Sequence, residues 1–391
     1  MKKMIYLDHA ATTKTRDEVI EVMLPYMNKY YGNASSIYTF AGEARKALNE
    51  SREKIADLIN ASPGEIYFTG SGTEADNFAV IGRAKRVFRE SGGYRNKILT
   101  SAIEHHAVLH TCSYLGKEGF EVKYISVDED GIIDLDEYKK EIDERTSMIS
   151  VMFANNEVGT IQPVKEIGRI AHENDTVFHT DAVQAVGAVS IDVKEQEIDM
   201  LSMSAHKFCG PKGVGALYVK KGTKIDPYLH GGAQEKKKRA GTENVASIVG
   251  MARALEIACI DIEKKAERLS EIRDHAISRI SKEIDHVKLN GHRSLRLPNN
   301  INFSFQYIEG EGLLLMLDYY GIMASSGSAC TSGSLDPSHV LLAMGLSHEI
   351  AHGSLRLTIG EETTREDIDH TIDKLKIIVQ KLRNMSPLYN A

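Results

Sequence analysis

LSMSAHKFCGPKGVG, residues 201–215, is the stretch on which the reading of the chain turns. An apolar, strand-like segment leads into it (Met200, Leu201, Met203) and another leaves it (Val214 to Val219). Between them stands Lys207, just ahead of Gly210-Pro211-Lys212-Gly213, so the pattern predicts a lysine on a tight loop joining two buried strands. A desolvated ammonium is costly, so such a lysine is either a solvated turn residue or a group with a task. Burial lowers a lysine's pKa and frees its amine to attack carbonyl carbon. This stretch alone leaves both readings open.

Working outward, the upstream chain alternates. Residues 65–69 read as a strand, 70–72 as a tight turn and 73–89 as a helix. Strands follow at 97–100, 121–127, 148–154, 176–180 and 198–204, with helices at 106–116, 135–142 and 164–174 between them. This β-α-β-α order predicts a mostly parallel sheet sandwiched by helices. Ligands of such sheets bind beyond the carboxyl ends of the strands, where Thr73, His105, Asn156, Asp181 and Lys207 all fall. Two helices (16–30 and 40–60) precede the alternation. A long helical stretch, 244–283, then bridges to a smaller α+β unit with strands at 301–305, 322–324 and 354–359 and helices at 311–320 and 365–384. The expected division is a large domain over 14–260 and a small domain made of 1–13 and 261–391.

Composition narrows the function classes. A chain of 391 residues that is 42% hydrophobic can bury a sizeable core. Its 48 basic and 55 acidic side chains leave a formal charge of −7, which argues against a nucleic-acid binder held by phosphate contacts. No signal peptide or membrane-spanning run is visible. Four widely spaced cysteines without a C-x-x-C pair point to a reduced, cytoplasmic protein.

Three further segments carry chemistry. Gly70-Ser71-Gly72-Thr73-Glu74-Ala75 follows a strand and opens a helix, a place where backbone amides bind phosphate. It matches the dinucleotide fingerprint G-x-G-x-x-A, but it is not the first βα unit and no acid ends the next strand, so a single phosphate is favoured over a nicotinamide cofactor. Asp181 ends an apolar strand, where it serves either as a helix N-cap or as the partner of a buried cation. A lysine, an aspartate and a phosphate cup are the parts a pyridoxal phosphate site needs, the lysine for a Schiff base and the aspartate for the pyridinium nitrogen. Cys330 lies in a small, polar, glycine-bearing loop, SSGSACTSGS (325–334), and is a candidate nucleophile. His106 and His110 have i,i+4 spacing but no evident third ligand, so metal is not expected there; a flat imidazole stacked on a flat ring is the better reading of His105.

Together these segments resemble the cysteine desulfurases, pyridoxal-phosphate enzymes of fold type I in the class-V aminotransferase family, of the housekeeping and nitrogen-fixation type. The resemblance runs nearly end to end. It includes YLDHAATT (6–13), GNASS (32–36), TGSGTEADN (69–77), EHHAV (104–108), NNEVGTIQP (155–163), HTDAVQAVG (179–187), SAHKFCGPKGVG (204–215), HGGAQEKKKRAGTEN (230–244), SSGSACTSGSLDPSHVL (325–341) and GSLRLTIG (353–360). It implies a seven-stranded large-domain sheet and conversion of L-cysteine to L-alanine, with the sulfur carried as a persulfide on Cys330. It implies Lys207 as the cofactor-bearing lysine, Asp181 at the ring nitrogen, Gln184 at the ring hydroxyl, His105 stacked on the ring and Asn156 beside it. Gly72, Thr73, Ser204 and His206 would hold the phosphate, and Thr242 would reach the phosphate of a neighbouring subunit in a homodimer. Arg356, with Asn33, would bind the substrate carboxylate, a task suited to a guanidinium. The implied acceptors are an iron–sulfur scaffold protein and tRNA-thiolation carriers, and Cys330 would also be a candidate shared cluster ligand. Ala205 and Ala233 stand where the family commonly has glycine, and Cys209 where another residue is usual. Rival readings are selenocysteine lyase or cysteine sulfinate desulfinase on the same fold and, further off, a non-catalytic sulfur carrier or an NAD-dependent dehydrogenase.

Overall fold

The computed structural model describes residues 4–327 and 337–389. The alternating first half becomes β1 (Ile5–Tyr6), α1 (Asp17–Asn28), α2 (Gly42–Leu58), β2 (Ile66–Thr69), α3 (Gly72–Glu90), β3 (Lys97–Ser101), α4 (His106–Lys117), β4 (Glu121–Ile125), α5 (Leu135–Glu141), β5 (Thr146–Ser150), α6 (Val164–Glu173), β6 (Phe178–Asp181), β7 (Met200–Ser204) and β8 (Gly215–Val219). The second half adds the single turn α7 (Gln234–Lys237), α8 (Val245–Cys259), α9 (Ile262–Glu283), β9 (Val287–Leu289), β10 (Asn300–Phe305), α10 (Gly310–Tyr319), β11 (Ile322–Met323), α11 (His339–Ala343), α12 (His348–His352), β12 (Ser354–Thr358) and α13 (Arg365–Met385).

Seven strands form one sheet in the order β2-β8-β7-β6-β5-β3-β4. From β4 through β7 every pairing is parallel, and β8 runs antiparallel to both neighbours. Residues 201–215 therefore cross from β7 to an adjacent antiparallel strand, with Met200 opposite Val219 and Ser204 opposite Gly215. The connection between β7 and β8 is short, and such a link suits antiparallel neighbours, whereas each parallel pair needs a longer crossover. Gly215 is required by packing: a Cβ there would stand 2.7 Å from the Met203 carbonyl oxygen and from the Ser71 carbonyl carbon. Strands β3 and β5 to β8 are buried along their whole length, as expected of a sheet covered on both faces.

A second core gathers Ile5 and Leu7 with Ile272, Ile277, Phe303, Leu313, Leu357 and Ile372. It sits on the antiparallel sheet β12-β10-β9, and β1 pairs in parallel with β11. The helical stretch expected over 244–283 is two helices rather than one. Asp261 adopts a left-handed conformation (φ 50°) between α8 and α9. The break lets α8 bury Ile248, Met251 and Leu255 in the first core and α9 bury Ile272, Ala276 and Ile280 in the second. The strand expected over 148–154 also ends early: beyond β5, Val151 and Phe153 still donate to the His179 and Asp181 carbonyls (3.1 and 2.8 Å) while the chain turns toward Asn156.

The turn α7 is left-handed at three consecutive non-glycine residues, Glu235, Lys236 and Lys237. Each such residue costs about 1–2 kcal/mol. What holds it is the Glu235 carboxylate, which receives Arg52 through both Nη atoms (2.7 and 2.8 Å) and the Phe68 amide (2.9 Å).

Candidate active site

The carboxyl ends of β6 and β7, the start of α3 and the start of α4 converge on a cavity of about 420 Å³. Ten of the residues singled out from the sequence line it: Gly72 and Thr73 from α3, His105 before α4, Asn156, Asp181 and Gln184 after β5 and β6, Ser204, His206 and Lys207 after β7, and Arg356 from β12. Thr242 and Asn33 do not. Both are exposed, and the Asn33 side chain accepts from the Ser35 amide (2.9 Å). Cys330 lies outside the described residues.

Lys207 ends a short 3-10 turn, Ala205–Lys207, immediately after β7. Its Nζ donates to the carbonyls of Ala10 (2.5 Å) and Ala11 (3.0 Å), so the N-terminal segment meets the lysine directly. Gln184 Nε2 donates to the same Ala10 carbonyl (3.0 Å). Asp181 ends β6, and its Oδ1 accepts from the Val183 amide (2.9 Å). Burial pushes its carboxyl up to about 6, against the pull of that amide and of the Lys207 charge.

The start of α3 is built for an anion. Ser71 caps the helix by accepting from the Glu74 amide (3.0 Å), and the helical ladder begins only with Ala75 donating to Ser71 (3.1 Å). The Gly72 and Thr73 amides precede that ladder and stand at the positive end of the helix. Gly72 has no room for a side chain: a Cβ would lie 2.7 Å from Val183 and 3.3 Å from Ser204. His206 closes this end, its Nδ1 3.1 Å from the Thr12 hydroxyl.

His105 is the N-cap of α4, where its Nδ1 accepts from the Ala107 amide (3.1 Å). That bond leaves the proton of a neutral ring on Nε2. Burial, and then the Lys207, His339 and His110 charges, lower its pKa to about 4. A lowered pKa means a neutral ring everywhere above that value. The His105 Cε1 resonance is expected to show no titration between about pH 8 and pH 5 in a histidine-labelled NMR series. A midpoint near 6.5 would contradict the buried, uncharged imidazole.

Arg356 is 2% exposed, and β12 delivers it from the second core into the cavity. Its Nη2 pairs with Asp8 (2.8 Å), while Nη1 donates to the carbonyls of Asn156 (3.0 Å) and Gly327 (3.2 Å). Its Nε is buried without a hydrogen-bond partner among the described residues. An orphaned guanidinium N–H is the kind of donor that a carboxylate ligand satisfies.

The sequence reading missed several acids. Asp8 lies within a segment read only as a strand running into a turn. Asp76 and Glu157 also line the cavity, and Glu104 is buried nearby, its carboxyl pushed up to about 8 by burial. Glu157 accepts from Ser338 (2.5 Å). Hydrophobic patterning could not single these out, because each is an acid within a polar segment. His106 does lie close to His110 and His339, at 4.8 and 4.7 Å between tilted rings. Among the described residues, no group of three or more His, Cys, Asp or Glu is placed to hold a metal ion.

Comparison with known proteins shows the family. The profile of the family described as aminotransferase class-V matches residues 5–371. The chain is 56% identical over 386 residues to "Cysteine desulfurase IscS" of Methanosarcina thermophila, covering 99% of this chain and 94% of that one. It is 53% identical to the protein of the same name from Clostridium botulinum (strain Hall), covering 100% and 98%. Among solved structures, a "NIFS-LIKE PROTEIN" superposes with a TM-score of 0.90 at 38% identity, covering 97% of this chain and 100% of that one. "SspA in complex with cysteine" superposes at 0.78 and 34% identity, covering 93% and 100%.

Proposed function

Because the chain belongs to the class-V aminotransferase family and is a pyridoxal-phosphate-dependent cysteine desulfurase, we propose that Lys207, Asp181, His105 and Arg356 divide the work of its cavity. The observation that carries this reading is that the Lys207 amine, the buried Asp181 carboxylate, the neutral His105 imidazole and the start of α3 face a single cavity, with the Arg356 guanidinium at its wall.

The residues present fit the cofactor. The Gly72–Thr73 helix start, Ser204 and His206 would hold its phosphate, Gln184 its ring hydroxyl and Asp181 its ring nitrogen, with His105 and Asn156 against the ring. Bound there, pyridoxal phosphate supplies an electron sink that acidifies the Cα–H of L-cysteine and loosens its sulfur. The remaining tasks belong to the chain. Arg356 grips the substrate carboxylate and fixes which Cα bond faces Lys207. The Lys207 amine would hold the cofactor covalently until the substrate's amine displaces it, and the freed amine would then take and return the proton at Cα. His105, neutral, carries a proton at Nε2. The Cys330 thiolate attacks the substrate sulfur, forming an S–S bond as the carbon–sulfur bond breaks, and the carbon product becomes L-alanine.

The finer assignments are proposals as well. The chain acts as a homodimer in which Thr242 reaches the phosphate of the neighbouring site, and Asn33 joins Arg356 at the substrate carboxylate. Their exposure supports this, as do the exposed apolar residues Leu24, Met27 and Ile37, with Ile37 98% exposed. The large domain spans 14–260 and the small domain 1–13 with 261–391, a division supported by the core that gathers Ile5 and Leu7 with residues between Ile272 and Val379. The enzyme works in the cytoplasm and hands its sulfur to an iron–sulfur scaffold protein or a tRNA-thiolation carrier. Among the described residues, no helix is long and apolar enough to cross a membrane. One measurement tests the core of the proposal. Purified protein given L-cysteine is expected to form alanine and sulfide in equal amounts in the presence of a thiol reductant, with a change in cofactor absorbance. Sulfide without alanine would sink it.

A further inference from the structure

The cavity that Asp181 lines holds a second buried acid that the reaction as described does not use. Asp76 projects from α3 into the same cavity wall and is 1% exposed. Its Oδ1 has no hydrogen-bond partner among the described residues. From β6 it faces His179, whose Nε2 is 3.8 Å from that oxygen, and Asp181; from β7 it faces the Ser202 hydroxyl, and from the segment after β3, Glu104. None of these can neutralise an ionised Asp76. His179 is the obvious candidate, but both its ring nitrogens are taken by hydroxyls, Nδ1 by Ser150 (2.8 Å) and Nε2 by Ser202 (2.9 Å). Burial lowers its pKa to about 3, so it is a neutral ring. The lysine charge in the cavity acts on Asp181, which also holds the Val183 amide. Two neighbouring carboxyls in a dry wall do not both ionise, and the one with the better anion partners keeps the charge. Burial, and then the Asp181 charge, raise the Asp76 pKa well above the usual carboxylate value.

We propose that Asp76 is a positioning residue: a neutral carboxylic acid whose proton is directed at Asp181, so that one carboxylate with a set orientation meets the ring nitrogen of the cofactor. An orphaned oxygen on an ionised, fully buried carboxylate is expensive, and the same oxygen on a neutral acid costs far less. The orphan is therefore consistent with the protonated form. Asp181, in turn, keeps a full charge to hold the ring nitrogen protonated. This inference rests on Asp181 as the ring partner, so its first test uses protein stripped of cofactor.

In the infrared difference spectrum of apo wild type minus apo Asp76→Asn near neutral pH, the carbonyl stretch of a protonated carboxylic acid is expected in the wild type and missing from the variant. No such difference would mean that Asp76 is ionised and would overturn the proposal, whatever Asp181 does. The second readout is cofactor affinity. Asp76→Ala is expected to raise the dissociation constant of pyridoxal phosphate by about tenfold, and Asp76→Asn, which keeps a neutral donor, to stay within about threefold of wild type. An Asn variant as weak as the Ala variant would show that the negative charge is what matters, against the proposal. If both variants fail to fold, wild-type protein carrying carboxyl-labelled aspartate decides. The proposal requires an aspartate carboxyl with the carbon shift of a neutral acid at pH 7, and it falls if every aspartate shows the ionised shift.

Discussion

Replacing Lys207 by alanine is expected to lower the rate of alanine formation by about 10⁴-fold or more and to leave no cofactor covalently attached. Two roles vanish together, the covalent anchor and the proton carrier at Cα, and a positioned acid–base group alone is worth about 10²–10⁴-fold. Among the described residues lining the cavity, Lys207 is the lysine, so no neighbouring amine is placed to substitute. Its Nζ is held by the Ala10 and Ala11 carbonyls, contacts that an alanine cannot make. The measurement is alanine production together with mass spectrometry of borohydride-treated protein. Wild type should retain the cofactor on the peptide spanning position 207. Cofactor trapped on any other peptide of the wild type, or a variant with a rate within tenfold of wild type, would refute the assignment.

Replacing Cys330 by alanine is expected to cut sulfide release by about 10³-fold or more while leaving cofactor content and resting absorbance unchanged. The expectation separates two functions that the chain keeps in different segments. The groups proposed to hold the cofactor all lie among the described residues around β6, β7, α3 and α4, and they do not include the cysteine. The residues that flank the cysteine segment, however, stand at the cavity. The Gly327 carbonyl accepts from Arg356 (3.2 Å), and the Ser338 hydroxyl donates to Glu157 (2.5 Å). Cys330 is three residues from Gly327, and three residues span at most about 11 Å. Incubation with L-cysteine followed by intact-mass measurement should show an added sulfur on the wild type and none on the variant. An equal persulfide signal in the variant would move the nucleophile to Cys112, Cys209 or Cys259. Of these, Cys112 is buried on α4, and burial pushes its thiol up to about 12.

The second prediction leans on a contact between distant parts of the chain, and that is where sequence and structure part company. The carboxyl end of a strand can be located from local apolar patterning, because burial repeats every second residue along a strand and every third or fourth along a helix. Asp181 and Lys207 were legible for that reason: each follows an apolar run and precedes a turn. The glycines before α3 were legible as well, since a strand–glycine–helix order is a local signal. Asp8 and Arg356 were different. They are 348 positions apart, and their pairing at 2.8 Å depends on β1 joining β11 and on Leu7 packing in the same core as Leu357.

Neighbouring residues alone spell out the alternating α/β order, the mostly parallel sheet, and the lysine, the aspartate and the glycine turn that face one end of it. Long-range packing was needed to fix the break at Asp261, the inward turn of Arg356, whose Nε has no hydrogen-bond partner among the described residues, and the burial of Asp76 in the cavity that Asp181 lines. Those outcomes depend on which surfaces exclude water, and exclusion is set by elements far apart along the chain meeting in space.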